Sequence, residues 1–256
     1  MGNNQRQSIQ ILIRQTRLLN KLERPFAREV RAEKNRYIVA QADNYRRSRM
    51  LSNELLIVHK QNLTRILIKH QARAIRVFAG DVTRSLPSAK AFYNIERKRD
   101  MFTTLLQEWT NEEGANKVQG IAETMHNDLR TILSRAIEEE IPSSEVIKRL
   151  LTVRSLSNHR SRVIARTETH NAAMFASQRS AEIIANDVGI TILKRWIPAL
   201  DERTRVDHAA MRNHKAVAMD GKFTVGGEKM DRPGDSKASA RNVINCRCVL
   251  VYEEQE

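Results

Sequence analysis

The chain contains two cysteines, Cys246 and Cys248, two residues apart in the stretch "VINCRCVLVY". Read as a β-strand, that stretch sends both thiols to one face and Arg247 to the other. Their Cα atoms would then lie about 6.6–6.8 Å apart, at the limit of disulfide geometry, so a reduced pair is expected. Such thiols serve as packing, as metal ligands or as nucleophiles. Polar residues able to join them are concentrated in three more blocks. "ARTETHNAA" sets Arg166 and His170 four apart, on one face of a helix, with Glu168 to the side. "WIPALDERTRVDHAAM" holds Asp201, Arg203, Thr204 and His208, and "DGKFTV" precedes the last block, "NVINCRC".

These blocks allow three chemistries. His208 beside Cys246 makes a thiol and base pair, and Glu168, Asp201 and His208 would serve a hydrolytic or ribosyl-transfer site. The chain has no Gly-rich phosphate loop and no paired carboxylates at helical spacing, so the expectation is a protein that is not an enzyme. Zinc would take His208, Cys246 and Cys248, with Asp201, Asp207 or His214 as the fourth ligand. A C-x-C pair on a strand suits a metal less well than a C-x2-C knuckle. No cofactor is therefore expected, and the thiols are read as small buried hydrophobes beside a hydrogen-bonded network of Asp201, Arg203, His208 and Asn245.

The elements that must position these blocks divide the chain in two. From Phe26 to Ala79 there is neither Gly nor Pro, and apolar residues recur at spacings of three and four. One very long helix follows, or two without a strong breaker, with Pro25 in the first turn and a shorter amphipathic helix over 9–22 upstream. Further helices are expected over 89–109, 115–140 and 144–151, making residues 1–151 a mostly helical arm. A second domain over 155–256 is expected to hold a helix at 158–187, a strand ending at Trp196, a short helix over 204–212, a hairpin at 216–225 around Asp220-Gly221, a polar loop at 226–241, and a last strand over 243–252. The fold class is α+β, a long helical N-terminal arm followed by a small domain with an antiparallel sheet. Trp196 reads as a core aromatic, and His59, His70, His126 and His159 show no ligand spacing.

Charge separates the same halves. Residues 1–100 hold 22 Lys or Arg against 8 Asp or Glu, whereas residues 101–256 hold 22 of each, so the whole net charge of +14 sits in the first hundred. A polyanion is the implied partner, nucleic acid before an acidic protein surface. Arg14, Arg17, Arg28, Arg31, Arg46, Arg47, Arg49, Arg73 and Arg76 recur at spacings that form basic stripes along helices, suited to duplex phosphates without sequence readout. No helix-turn-helix or zinc-finger spacing is visible, and 5% aromatic residues leave few platforms for single strands. The alternative of a cytoplasmic nucleic-acid-binding protein stays open on charge alone. With no long apolar run and no signal peptide, no membrane contact is expected.

In order and spacing the blocks resemble the phage head morphogenesis family, minor head proteins similar to protein F of phage Mu, over about residues 155–252. In that family a helical "TE" block precedes a Trp, an Asp-x-Arg-Thr turn, a His or Cys, a Gly-containing hairpin and a terminal Cys-Arg-Cys or Asn-x-Arg-Cys. The matching residues here are Arg166, Glu168, Trp196, Asp201, Arg203, Thr204, His208, Asn245, Cys246, Arg247 and Cys248. The resemblance implies a structural virion protein in few copies, associated with the portal or the capsid interior within a multi-subunit assembly. Members take part in head assembly and DNA packaging or ejection, in the host cytoplasm and then in the virion. Many relatives carry a second thiol pair after the Arg-Thr turn, which would complete a four-ligand cluster. Here Arg205 stands where one of those thiols often does.

Overall fold

The computed structural model describes residues 3–114, 116–199 and 201–255. Helices α1 (Asn3–Ser48), α2 (Asn53–Ser85), α3 (Pro87–Phe92) and α4 (Ile95–Trp109) lead into a π turn at Thr110–Gly114, followed by α5 (Asn116–Glu138) and α6 (Ser143–Val188). After these come β1 (Thr191–Ile197), α7 (Val206–Ala209) with a 3-10 turn at Ala210–Asn213, β2 (Val217–Ala218), β3 (Phe223–Val225), β4 (Glu228–Met230), α8 (Ala240–Val243) and β5 (Val249–Gln255). The α+β class is as expected, with no strand before residue 191 among the described residues. Residue 115, the expected start of one helix, lies outside them. No described helix is long and apolar enough to cross a membrane.

Three helix boundaries differ from expectation, each for a local reason. Pro25 lies deep inside α1 rather than in a first turn. It forfeits one backbone hydrogen bond, and its neighbours Leu22 and Phe26 are both buried, which holds the helix through that loss. The break between α1 and α2 is made by polar side chains. Arg49 turns to φ 61°, Asn44 donates to the Met50 carbonyl at 2.8 Å, and Gln41 bonds both backbone groups of Ser52 at 2.8 Å. The Ser52 hydroxyl then caps α2 by accepting from Leu55 N–H. Finally, α6 runs unbroken through 152–157, where a break was expected. Nothing in "TVRSLS" stops a helix, and Thr152 returns its hydroxyl to the Arg149 carbonyl at 2.7 Å.

The described chain forms two compact units, one from residues 1–23, 70–111 and 166–256, the other from residues 24–69 and 112–165. These boundaries differ from the expected arm over 1–151 and domain over 155–256. A helix of 46 residues such as α1 or α6 is about 69 Å long, more than twice the span of a small domain. Its apolar residues therefore serve two cores.

In the first unit, Ile75 and Phe78 of α2, Leu105 and Trp109 of α4 and Met174 and Phe175 of α6 pack with Ile192, Val249 and Val251 of the sheet. Within this unit α6 is buried on nearly every side from Arg166 to Ala181. Ala172, Ala173, Ala176, Ser177 and Ser180 keep that stretch thin enough to be surrounded. The sheet has the order β2-β1-β5, all antiparallel, with Lys194 opposite Tyr252 and Trp196 opposite Leu250.

The hairpin expected at 216–225 does not form. β2 pairs with β1, the Asp220-Gly221 turn only redirects the chain, and the hairpin is β3–β4. Gly226 and Gly227 have φ of 57° and 81°, the double positive φ of a type I′ turn that matches strand twist. The last strand also begins later than expected. Val243 ends α8, Asn245 turns to φ 59°, and Cys246 and Cys248 lie in the irregular approach to β5.

The second unit has two apolar clusters, one around Phe26, Val30, Leu63 and Leu67, the other around Ile38, Met125, Leu129 and Leu150. Between residues of α1, α2 and α5 lies a buried polar network. Glu33 accepts from His59 at 3.0 Å, His59 stacks on Tyr37 at 4.3 Å between ring centroids, and the Tyr37 hydroxyl meets His126 Nδ1 at 2.7 Å. Burial pushes the Tyr37 hydroxyl up to about 12 and the adjacent Lys34 ammonium down to about 8.

Candidate functional site

The four polar blocks meet in the first unit, through contacts other than those the sequence suggested. On α6, Arg166 Nε reaches Glu23 Oε2 at 3.3 Å, and Glu168 accepts from Gln71 Nε2 at 3.1 Å. Gln71 accepts in turn from the Trp109 indole N–H at 3.2 Å. Arg166 and Glu168 thus fasten α6 to its own unit. Two neighbours on the helix reach the terminal block instead. Thr167 Oγ1 accepts from Asn245 N–H at 3.2 Å, and His170 Nε2 donates to the Cys248 carbonyl at 2.8 Å. Burial holds the His170 imidazole below its ordinary pKa.

After β1 the Asp-x-Arg-Thr turn closes on itself. Asp201 Oδ1 accepts from Arg203 N–H and the Thr204 hydroxyl, at 3.1 and 3.0 Å, while Oδ2 takes Arg247 Nη1 at 2.9 Å. Arg203 is exposed, and its backbone rather than its guanidinium serves the turn. The expected network of Asp201, Arg203, His208 and Asn245 is therefore divided. The Asp201 turn is at the surface, whereas His208 is buried on α7 and points elsewhere.

His208 faces the thiols. Its Nδ1 lies 3.4 Å from Cys248 Sγ and 3.6 Å from Cys246 Sγ, and all three residues are at most 2% exposed. Its Nε2 lies 3.4 Å from Asn242 Oδ1, and the same amide donates from Nδ2 to the Val225 carbonyl. The edge of Trp196 and the ring of Phe223 close the apolar side. The neighbouring Cys248, with burial adding to it, pushes the Cys246 thiol up, and the proximity of Cys246 pulls Cys248 down. This trio is the one group among the described residues in which three metal-ligating side chains converge. Asp207 pairs with Arg241, and His214 Nδ1 faces the Lys215 carbonyl, so neither is turned toward it.

Asn242 was legible only as part of "NVINCRC", where Asn245 drew attention. Also missed was the 231–235 turn. Lys194, fully buried on β1, donates to the Asp231 carbonyl at 2.9 Å, and Asp235 accepts from the backbone N–H of Asp231 and Lys237. Gly234 is pressed so close to His170 and Asn171 that an added Cβ would stand 2.6 Å from each. Its signal was the Pro-Gly-Asp sequence inside what read as a polar loop.

The nine arginines assigned to DNA are distributed over both units. Arg14, Arg17, Arg73 and Arg76 lie in the first, and Arg28, Arg31, Arg46, Arg47 and Arg49 in the second. All are exposed. Arg14 is held by Asp81 and Arg46 by Asp43, each at 2.9 Å or less, Arg31 bonds Asn158, and Arg76 lies over the Phe102 ring. Residues 24–69 carry 11 Lys or Arg against 4 Asp or Glu, and 112–165 carry 8 of each. The second unit thus holds half of the net +14.

Comparison with known proteins places these features. Residues 127–251 match the family described as Phage Mu protein F like protein. The match begins in α5, upstream of the boundary at 155 read from the sequence. Over 110 residues the chain is 36% identical to minor head protein GP7 of Bacillus phage SPP1, covering 43% of this chain and 34% of that protein. Over 88 residues it is 33% identical to NAD(+)--arginine ADP-ribosyltransferase EFV of Enterococcus faecalis, covering 34% of this chain and 18% of the transferase. The matched stretches therefore span about a third and under a fifth of those relatives. No solved structure matches.

Proposed function

We propose, from the premise that residues 127–251 belong to the Phage Mu protein F like family, that the protein is a structural minor component of a phage head, docked at the portal and touching DNA nonspecifically. It takes part in head assembly in the host cytoplasm, stays in the virion and assists DNA packaging or ejection. The observation that carries this reading is the family match together with the phage head protein that shares 110 aligned residues. The exposed arginines support contact with a polyanion. Met50, Ile57 and Val58 are exposed close in sequence to Arg46, Arg47 and Arg49, the mixture of apolar and Arg surface that protein contacts favour.

The transferase match gives the enzymatic alternative its one support, and the structure gives it little more. Glu168 is committed to Gln71 in a packed interior, Asp201 to a surface turn, and His208 and Cys246 are buried together behind Trp196. A non-catalytic role is therefore the reading we adopt.

Cross-linking with mass spectrometry on purified particles tests it. Links from residues 24–69 to the portal protein are expected. Links to other capsid proteins alone, or absence of the chain from particles, would overturn the docking. Hydrolysis of NAD by the purified chain, lost in Glu168→Gln, would restore the enzyme.

A further inference from the structure

We infer that His208, Cys246 and Cys248 form a zinc site, a structural cross-link within the first unit, contrary to the cofactor-free reading of the sequence. The distances carry it. Zinc binds thiolate sulfur at about 2.3 Å and imidazole nitrogen at about 2.0–2.1 Å in a tetrahedron, which requires sulfur-to-nitrogen edges of about 3.5 Å. The two such edges here are 3.4 and 3.6 Å, and all three ligand atoms lie within 4.8 Å of one another.

Hydrogen bonding alone explains the trio poorly. Asn242 Nδ2 is committed to the Val225 carbonyl, so its Oδ1 faces His208 and fixes the proton on Nε2. The single lone pair left on Nδ1 would then face two thiols while able to accept from one. A cation at the centre engages all three donors. An amide or carboxylate oxygen behind the distal imidazole nitrogen is the support that metal-bound histidines receive.

The surrounding fold also suits a cross-link. Between Asp201 and Cys248 the helices and strands are each two to four residues long, too short to stabilise themselves. His208 on α7 and the approach to β5 are the parts a metal would tie together. None of the three ligands is open to solvent, which favours a structural ion over a reactive one. Asp201, Asp207 and His214 are held by other partners, so the trio supplies three of the ion's positions.

The test uses the full chain, purified under reducing conditions from zinc-supplemented medium. Elemental analysis should find one zinc per chain, and cobalt(II) substitution should give thiolate-to-cobalt charge-transfer absorption. Both cysteines should resist a thiol reagent with zinc bound and react once it is removed. Cys246→Ser, Cys248→Ser and His208→Ala should each lose the metal. Should these fail to fold, Asn242→Ala keeps all three ligands and should weaken zinc about 10–100-fold in competition with a chelator. Zinc far below stoichiometric in the wild-type chain, or thiols equally reactive with and without zinc, would overturn the site. Full zinc content in a folded Cys246→Ser, Cys248→Ser double variant would do so as well.

Discussion

Arg247 Nη1 meets Asp201 Oδ2 at 2.9 Å, joining the Asp-x-Arg-Thr turn to the Cys-Arg-Cys segment 46 residues later. Side chains of both remain 28–38% exposed, so water and salt screen the pair, and a coupling of about 1 kcal/mol or less is expected. The larger role of Asp201 is its other oxygen, which closes the turn on Arg203 N–H and Thr204. Asp201→Ala should thus cost more than Arg247→Gln in urea denaturation. A double-mutant cycle giving more than about 2 kcal/mol of coupling would contradict this assignment.

Two glycines should respond oppositely to alanine. Gly234 sits at φ 70° with no room for a Cβ beside His170 and Asn171. Gly234→Ala should cost at least about 1–3 kcal/mol and lower the thermal midpoint. Gly120 lies inside α5 with open space around it, and Gly120→Ala should stabilise by about 0.5–1 kcal/mol. Equal shifts in the two variants would mean the 231–235 turn does not pack as described.

Lys34 makes stability depend on pH. Burial, with the Arg160 charge adding to it, lowers its folded pKa to about 8 against an ordinary value of 10.5. The unfolded chain therefore binds the proton more tightly, and stability should rise with pH between about 8 and 10, by up to about 1.4 kcal/mol per unit. Above about 10 Tyr37, pushed up to about 12, works in the opposite sense, because the unfolded state ionises first. Lys194 contributes in the same direction as Lys34, so the readout is a difference. Lys34→Met should flatten the rise and add on the order of 2–3 kcal/mol at pH 7. A variant with the wild-type slope would remove Lys34 as its source.

DNA binding should be electrostatic and indifferent to sequence. Three contacts within the second unit, from Arg28, Arg47 and Arg49, would give a slope of log affinity against log salt of about −2.7. Arg47→Gln with Arg49→Gln should bring the slope up by about two. Failure of the full chain to bind duplex DNA at low salt, with retained binding to isolated portal, would assign the basic surface to protein docking.

Local patterns in the sequence determined a good deal. Apolar spacings of three and four marked the helices, alternation marked β1, and the ordered blocks from Arg166 to Cys248 identified the family that residues 127–251 match. Each of these signals lies within a few residues, or in an order that needs no geometry. Tertiary structure decided the rest, because it depends on which distant surfaces meet. The strand pairing passed from Asp220-Gly221 to Gly226-Gly227 when β1 took β2 as its neighbour. The thiols left the strand at the positive φ of Asn245. His208 reached Cys246 and Cys248 because α7 turns inward against Trp196, and Asn242 became its support only once α8 packed against Val225. The division into two units was equally hidden, since a helix of 46 residues carries one continuous pattern while its two ends enter different cores.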